Sequence, residues 1–298
     1  MCEMRNFIQP TAILHYIYPN VKLDFFSEYD IIKKKICRGV RIMYANYHTH
    51  TYRCMHAEGT PEQYVKSAVK GGMKILGFSD HVPYPYKDGF ISNMRMKVGE
   101  TADYVSDITS LREEYKDKIK IFIGYEAEYF PKRFSAMLEN ICSYECDYLI
   151  LGQHFLDCEP NGEYSALPCS DDRILGAYVD LVIEAIHTGK FSYIAHPDLP
   201  LPLSDADLYA KHMERMCREA KLLSVPLEIN MIGFLTHRQY PHNEFWEIAK
   251  DIGNDIVIGC DAHCAEFLSN TEYHKKVYEY AKSFGFEPLK EIAFKKVK

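Results

Sequence analysis

Beyond residue 40 the chain alternates between short apolar runs and longer stretches whose apolar residues recur at helical spacing. Seven of the short runs predict strands, at 42–48, 74–79, 119–125, 147–152, 191–195, 226–230 and 256–260. The segments between them predict helices. Thr60-Pro61-Glu62-Gln63 supplies an N-cap, a first-turn proline and a glutamine at N3, which open a helix with Tyr64, Ala68 and Val69 inward; Gly71-Gly72 ends it. Tyr104, Ile108, Leu111 and Tyr115 form the next stripe. Pro131 starts a further helix carrying Phe134, Leu138 and Ile141, and Phe245, Ile248, Ala249 and Ile252 mark the one before the last strong strand. Residues 1–40 stand apart: Phe25, Phe26, Tyr29, Ile32 and Ile36 suit a short amphipathic helix, in an extension expected to pack on a main domain spanning 41–298.

Strands that alternate with helices predict a parallel sheet. Periodicity alone fits an open doubly wound sheet as well as a closed barrel, so the choice falls to chemistry. His48-Thr49-His50 ends the first run and Asp261-Ala262-His263 ends the last. In extended chain, residues i and i+2 share a face, so each triplet aims two ligand-type side chains to one side. Over 200 residues separate the triplets, and they meet easily only if the sheet closes. In such a barrel the C-terminal strand ends form the active face.

Single polar residues terminate the other strands too. Asp80-His81 follows the second, Glu126 ends the third, and His154 follows the fourth. His196 and Asp198 follow the fifth, and His56 lies in the loop after the first. Glu126 at an apolar strand end is costly unless paired or metal-bound. Imidazole and carboxylate together suit zinc, manganese or iron better than magnesium. His48, His50, His56, His81, Glu126, His154, His196, Asp261 and His263 are nine candidate ligands, more than one ion needs, so two or three divalent ions are implied. Asp80 is read as orienting a neighbouring ring rather than ligating. His15, His187, His212, His242 and His274 are read as ordinary core or surface histidines.

Composition narrows the classes. With 298 residues, 47% of them hydrophobic, the chain can bury the core of one large domain. A net charge of −7 and no long basic track argue against a nucleic-acid partner. No run approaches the length of a membrane helix, and Met1-Cys2-Glu3-Met4-Arg5-Asn6 lacks the order of a signal peptide. Ten scattered cysteines without a Cys-x-x-Cys read as reduced thiols, from which a cytoplasmic location is expected.

A hydroxide bridging closely spaced metals is the nucleophile such a centre implies, attacking phosphorus in line with the leaving alcohol. An arginine would complete a phosphate site. Arg238, after the sixth strand, is the first candidate; Arg95 and Arg173, in expected active-face loops, are rivals. Asp261 could help orient or deprotonate the nucleophile, and Asp198 is a candidate proton donor or anchor for an amine. The residues alone support metal-assisted phosphoester hydrolysis, with a small phosphorylated metabolite as partner.

His48-Thr49-His50, His56-Ala57-Glu58-Gly59-Thr60, Ser79-Asp80-His81, Gly124-Tyr125-Glu126, Gly152-Gln153-His154-Phe155, His196-Pro197-Asp198-Leu199 and Asp261-Ala262-His263 together resemble the PHP (polymerase and histidinol phosphatase) metal-hydrolase family over roughly residues 44–290. Tyr104 to Glu126 and the His-Pro-Asp-Leu segment resemble its histidinol-phosphate phosphatase branch in particular. The resemblance implies an α/β fold, a distorted seven-stranded TIM-like β/α barrel with a trinuclear centre. Carried onto this chain, it implies one metal on His48, His50, Glu126 and Asp261, a second sharing Glu126 with His154 and His196, and a third on His56, His81 and His263. It makes hydrolysis of L-histidinol phosphate to L-histidinol and phosphate the leading expectation. Alternatives are a phosphatase of another small monoester such as a nucleotide or sugar phosphate, a nuclease or phosphodiesterase, and a noncatalytic metal-binding module.

Overall fold

All seven apolar runs are strands, and they lie in chain order in one parallel sheet. They are β1 (Ala45–Asn46), β2 (Ile75–His81), β3 (Lys120–Ala127), β4 (Tyr148–Leu151), β5 (Phe191–Ile194), β6 (Leu227–Asn230) and β7 (Ile256–Gly259). The computed structural model describes residues 43–86, 89–166, 172–200 and 205–298. The expected N-terminal extension, residues 1–40, lies outside the described residues.

Closure happens at the C-terminal strand ends. Thr49 bridges Ala262 in parallel; the His50 N–H donates to the Ala262 carbonyl at 3.0 Å and the Ala262 N–H to that of His48 at 3.1 Å. These bonds decide between the two sheet arrangements: the strands form a nearly closed barrel. The first strand is much shorter than expected because the Asn46 amide takes over the work of a ladder. Its Oδ1 accepts from the backbone N–H of His48 and, at 2.8 Å, of Cys260, while its Nδ2 donates to the His48 carbonyl and Thr49 Oγ1.

Helices fill the connections: α1 (Pro61–Lys70), α2 (Thr101–Tyr115), α3 (Phe134–Cys142), α4 (Asp172–His187), α5 (Ala206–Leu222), α6 (Met231–Leu235), α7 (Asn243–Ile252), α8 (Glu266–Ser269) and α9 (Thr271–Ser283). The capping box at Thr60 and Gln63 forms as the sequence predicts. Tyr104, Ile108, Leu111 and Tyr115 are all buried on α2. The third helix differs from expectation: it starts at Phe134, after a turn following Pro131, and buries Met137 where Leu138 was expected. On α7 the buried face is Phe245, Trp246 and Ala249. No helix among the described residues is long and apolar enough to cross a membrane, and the described cysteines are free.

Two apolar layers result. The larger lies between strands and helices; the smaller fills the barrel lumen with Tyr47, Ile75, Tyr148, Ile150, Tyr193, Ala195 and Val257. The Tyr148 hydroxyl donates to the carbonyls of Tyr47 and Phe78 at 2.8 and 3.1 Å, so the ring lies across the lumen. Gly77 and Gly124 are glycines because a Cβ at either would run into that ring. After α9 the chain returns beneath the barrel: the Leu289 N–H donates to the carbonyl of Ile256, the first residue of β7, and Phe294 stacks on Tyr148 with ring centres 4.8 Å apart. Phe294 also meets Tyr47 and Phe122 edge-on. Phe294→Ala is expected to lower unfolding stability by about 2–3 kcal/mol, below the cost for a fully buried ring, with the denaturant slope unchanged; urea titration checks this.

Candidate metal centre

The parallel register delivers the candidate ligands to one face. β2 and β3 pair through to His81 and Glu126, β1 and β7 hand over His48, His50, Asp261 and His263 where they meet, and β4 and β5 end just before His154 and His196. Glu126, 1% exposed, is the hub. Around its Oε2 lie His48 Nε2 at 3.4 Å, His50 Nε2 at 3.4 Å and His81 Nδ1 at 3.2 Å. On Oε1 lie His154 Nε2 at 3.4 Å and His196 Nε2 at 2.8 Å. Asp261 Oδ1 faces His50 Nε2 at 3.1 Å, His263 Nδ1 at 3.3 Å and His48 Nε2 at 3.5 Å.

The local backbone is shaped for this convergence. Gly152, at the end of β4, leaves the space that the Glu126 carboxylate occupies; a Cβ there would overlap it. His196 and Asp261 have φ of +30° and +50°, a costly conformation for a side chain, held where the two turn into the site. His56 joins from the loop after β1, with its ring stacked on His263 at 4.7 Å and its Nδ1 on the Cys54 carbonyl at 2.6 Å.

These residues fit divalent ions. His48 Nε2, both ring nitrogens of His50, His81 Nδ1 and His196 Nδ1 are buried without a hydrogen-bond partner, a costly arrangement unless an ion takes the lone pairs. The donor atoms of His48, His50 and Glu126 lie within 4.8 Å of one another, as do those of His48, His196 and Asp261 and those of His50, His81 and His263. Burial opposes charge on His48, yet Glu228, Asp261 and Glu126 outweigh it and lift its pKa to about 10. Burial likewise opposes charge on Glu126, but His154, His48 and His81 hold it well below the usual carboxylate range. Burial and the neighbouring His50 push His263 down. Ionised carboxylates thus face imidazoles whose protons a divalent ion can replace.

Asp80 sits beside the candidate ligands. Its Oδ2 accepts from the Thr51 N–H and hydroxyl, its Oδ1 from the His81 N–H, and Oδ1 lies 3.6 Å from His50 Nδ1. Three residues beside the candidate ligands escaped the sequence reading. Glu228, on β6, holds His48 Nδ1 with both oxygens at 3.0 Å and accepts from the His196 N–H. Gly259 makes room for its carboxylate. Glu128 lies 3.2 Å from His154 Nδ1. Cys54, buried, has a donor atom within 4.8 Å of those of His56 and His263. The available signal for Glu228 was an acid inside the apolar run Leu-Glu-Ile-Asn, which burial makes expensive unless the acid is used.

The arginines separate. Arg238 is near the centre: its Nη1 donates to the Tyr240 hydroxyl at 2.6 Å, and the Tyr240 ring lies 5.7 Å from that of His196. Arg95 is instead fully buried and tied to Glu128 and Glu159, so the expectation that it grips phosphate is corrected: its donors are committed to carboxylates. Arg173 is exposed at the start of α4, 3.9 Å from Glu163. Asp198 spends one oxygen on structure: its Oδ2 accepts from the His242 N–H at 2.6 Å and Trp246 Nε1 at 3.0 Å, which tethers the start of α7, while its Oδ1 is buried without a hydrogen-bond partner and burial pushes its pKa up to about 7. Asp261 keeps its position, with Oδ2 accepting from Asn230 at 3.2 Å.

With this geometry in view, comparison with known proteins is decisive at the family level. The family profile described as the PHP domain matches residues 46–232. The chain belongs to the PHP domain family. A Deinococcus radiodurans protein named a probable histidinol-phosphatase is 28% identical over 225 residues, 72% of this chain and 85% of that protein. A probable phosphatase of Shewanella piezotolerans is 27% identical over 249 residues, 81% of this chain and 86% of that protein. The crystal structure of histidinol phosphate phosphatase from Lactococcus lactis, complexed with zinc, L-histidinol and phosphate, superposes with a TM-score of 0.65 at 21% identity, covering 84% of this chain and 99% of that one. The barrel is the PHP-type fold, and the chain, like its phosphatase relatives, is a hydrolase. As a PHP barrel it is expected to need the Glu126 hub intact: Gly152→Ala should weaken divalent-metal binding by on the order of tenfold or more while leaving the far-ultraviolet circular dichroism unchanged, as chelator competition would show.

Proposed function

We propose that this chain is a metal-dependent phosphomonoesterase whose substrate is L-histidinol phosphate. The observation that carries the chemistry is Glu126, with imidazoles on both carboxylate oxygens and orphaned ring nitrogens around it. The substrate rests on the names of the Deinococcus and Lactococcus proteins. In this reading His48, His50, Glu126 and Asp261 hold one ion, Glu126, His154 and His196 a second, and His56, His81 and His263 a third. Zinc is favoured by the Lactococcus complex, and the donor set suits manganese and iron equally.

Divalent ions held there supply Lewis acidity toward the phosphoryl oxygens and lower the pKa of water at the site. Glu126 and Asp261 bring the negative charge that draws those ions together. Arg238, oriented by the Tyr240 hydroxyl, binds the phosphate through its remaining guanidinium donors. Tyr240 also walls the site against the His196 ring. Glu228 fixes the His48 ring by taking its Nδ1, which leaves Nε2 toward Glu126 and Asp261. A second reading, a phosphatase of another small monoester, is favoured by the Shewanella relative, whose name specifies no substrate.

The deciding measurement is phosphate release by the purified protein, with zinc, manganese or iron supplied separately, from histidinol phosphate, nucleotides and sugar phosphates. A large preference in kcat/KM for histidinol phosphate, abolished by His48→Ala, is the expected result. Robust release from another monoester instead would retain the chemistry and discard that substrate. Chelator dialysis should abolish release, and restoring the metal should recover it. Arg238→Ala is expected to cut kcat/KM by roughly 10- to 100-fold, the worth of one lost charge-assisted phosphate contact.

A further inference from the structure

A fully buried arginine, 1% exposed, sits between two buried glutamates behind the metal centre. Arg95 comes from the loop between β2 and α2. Its Nη1 and Nη2 grip both oxygens of Glu128 at 2.9 and 3.1 Å, and its Nε donates to Glu159 at 2.6 Å. Glu159, from the loop after β4, is itself held by the hydroxyls of Ser92 and Tyr86 at 2.9 and 3.0 Å. The guanidinium lies over the Tyr84 ring, whose hydroxyl donates to the Glu128 carbonyl. The gripped oxygen Glu128 Oε1 also lies 3.2 Å from His154 Nδ1, and the other nitrogen of that ring, Nε2, points at Glu126 Oε1.

We propose that Arg95 and Glu128 are positioning residues for His154, acting on the ion shared by Glu126, His154 and His196, with Glu159 as the anchor of the pair. The inference rests on the metal-dependent reading above. Glu128 accepts a hydrogen bond from the His154 Nδ1–H, so the ring presents Nε2 as its ligand atom. A buried carboxylate with only an imidazole partner would be poorly compensated and free to rotate about its last torsion. The two parallel bonds from Arg95 fix its plane, which lysine, a point donor, cannot do. His48 is held differently. Glu228 binds it with both oxygens, and the described hydrogen-bond partners of Glu228 include the His196 N–H and Asn230 but no arginine. Glu228 thus reaches candidate ligands of two ions, whereas Glu128 meets the ring of His154, so damage to Glu128 should be felt at the position His154 serves.

The test uses the full chain stripped of metal and titrated with zinc against a chromophoric chelator, beside thermal unfolding. Glu128→Gln keeps the side-chain shape and leaves Arg95 paired with Glu159. It is expected to weaken one zinc equivalent by roughly 10- to 100-fold, leave the other equivalents unchanged, and leave the fold intact. Arg95→Lys should weaken the same equivalent by about tenfold or less, and the double variant should be no worse than Glu128→Gln alone, since Arg95 acts through Glu128. Full zinc affinity in Glu128→Gln overturns the inference and leaves the metal-dependent reading standing. Losses that add in the double variant overturn the assignment of Arg95. A wild-type chain that holds no zinc, manganese or iron overturns the metal-dependent reading and this inference together.

Discussion

A carboxylate buried at the top of the barrel is the constraint on which the rest of the structure depends. Stripped of water, Glu126 would cost several kcal/mol unless opposite charge or strong donors surround it. Each of its oxygens is met from a different side: His48, His50 and His81 on one, His154 and His196 on the other. No single element can supply five imidazoles around one carboxylate. The strand ends must converge, which is what a closed parallel sheet does. Two further carboxylates, Glu228 and Glu128, then take the far nitrogens of His48 and His154. The centre is thus a set of nested acids and imidazoles rather than a ring of independent ligands.

Holding this set costs free energy, and the fold supplies the offsets nearby. The left-handed backbone at His196 and Asp261 costs of order 1–3 kcal/mol at each residue. His196 is steadied by its N–H on Glu228 and its carbonyl accepting from the Leu199 N–H, while Asp261 is steadied by Asn230 and the imidazoles. Beneath the centre, Tyr148, Tyr193 and Tyr47 fill the lumen, and Phe294 covers it from below. A floor packed with buried apolar and aromatic side chains lowers the dielectric under the site and strengthens each interaction above it.

Much of this was legible along the chain. Strands buried on both faces read as near-continuous apolar runs, which is why all seven were recognised and six of them close to their observed bounds. The candidate ligands stood out because ionisable residues at the ends of such runs have few inexpensive alternatives to being used. Less could be read where a side chain's role depends on a distant partner. Arg95, Arg173 and Arg238 look alike in sequence, each in a loop, yet one is locked between glutamates, one is at the surface, and one stands beside the centre. Asp198, two residues from a candidate ligand, spends an oxygen on Trp246, on a helix some fifty positions away. Glu228 and Glu128 were passed over because an isolated acid in or after a strand has no periodic signature.

By itself the sequence determined the number and order of the strands, the helix start at Thr60, and the types of side chain at each strand end. These are set by periodicity and capping within a few residues, so nothing distant is needed to recognise them. The bonds that close the barrel, the pairing of acids with imidazoles and the sorting of arginines were decided only by tertiary structure. The contact that shows why is the Cys260 N–H on the Asn46 side chain, spanning 214 positions: two locally unremarkable residues join the first strand to the last. Such a bond depends on the path of the whole intervening chain, and no window of local sequence contains it.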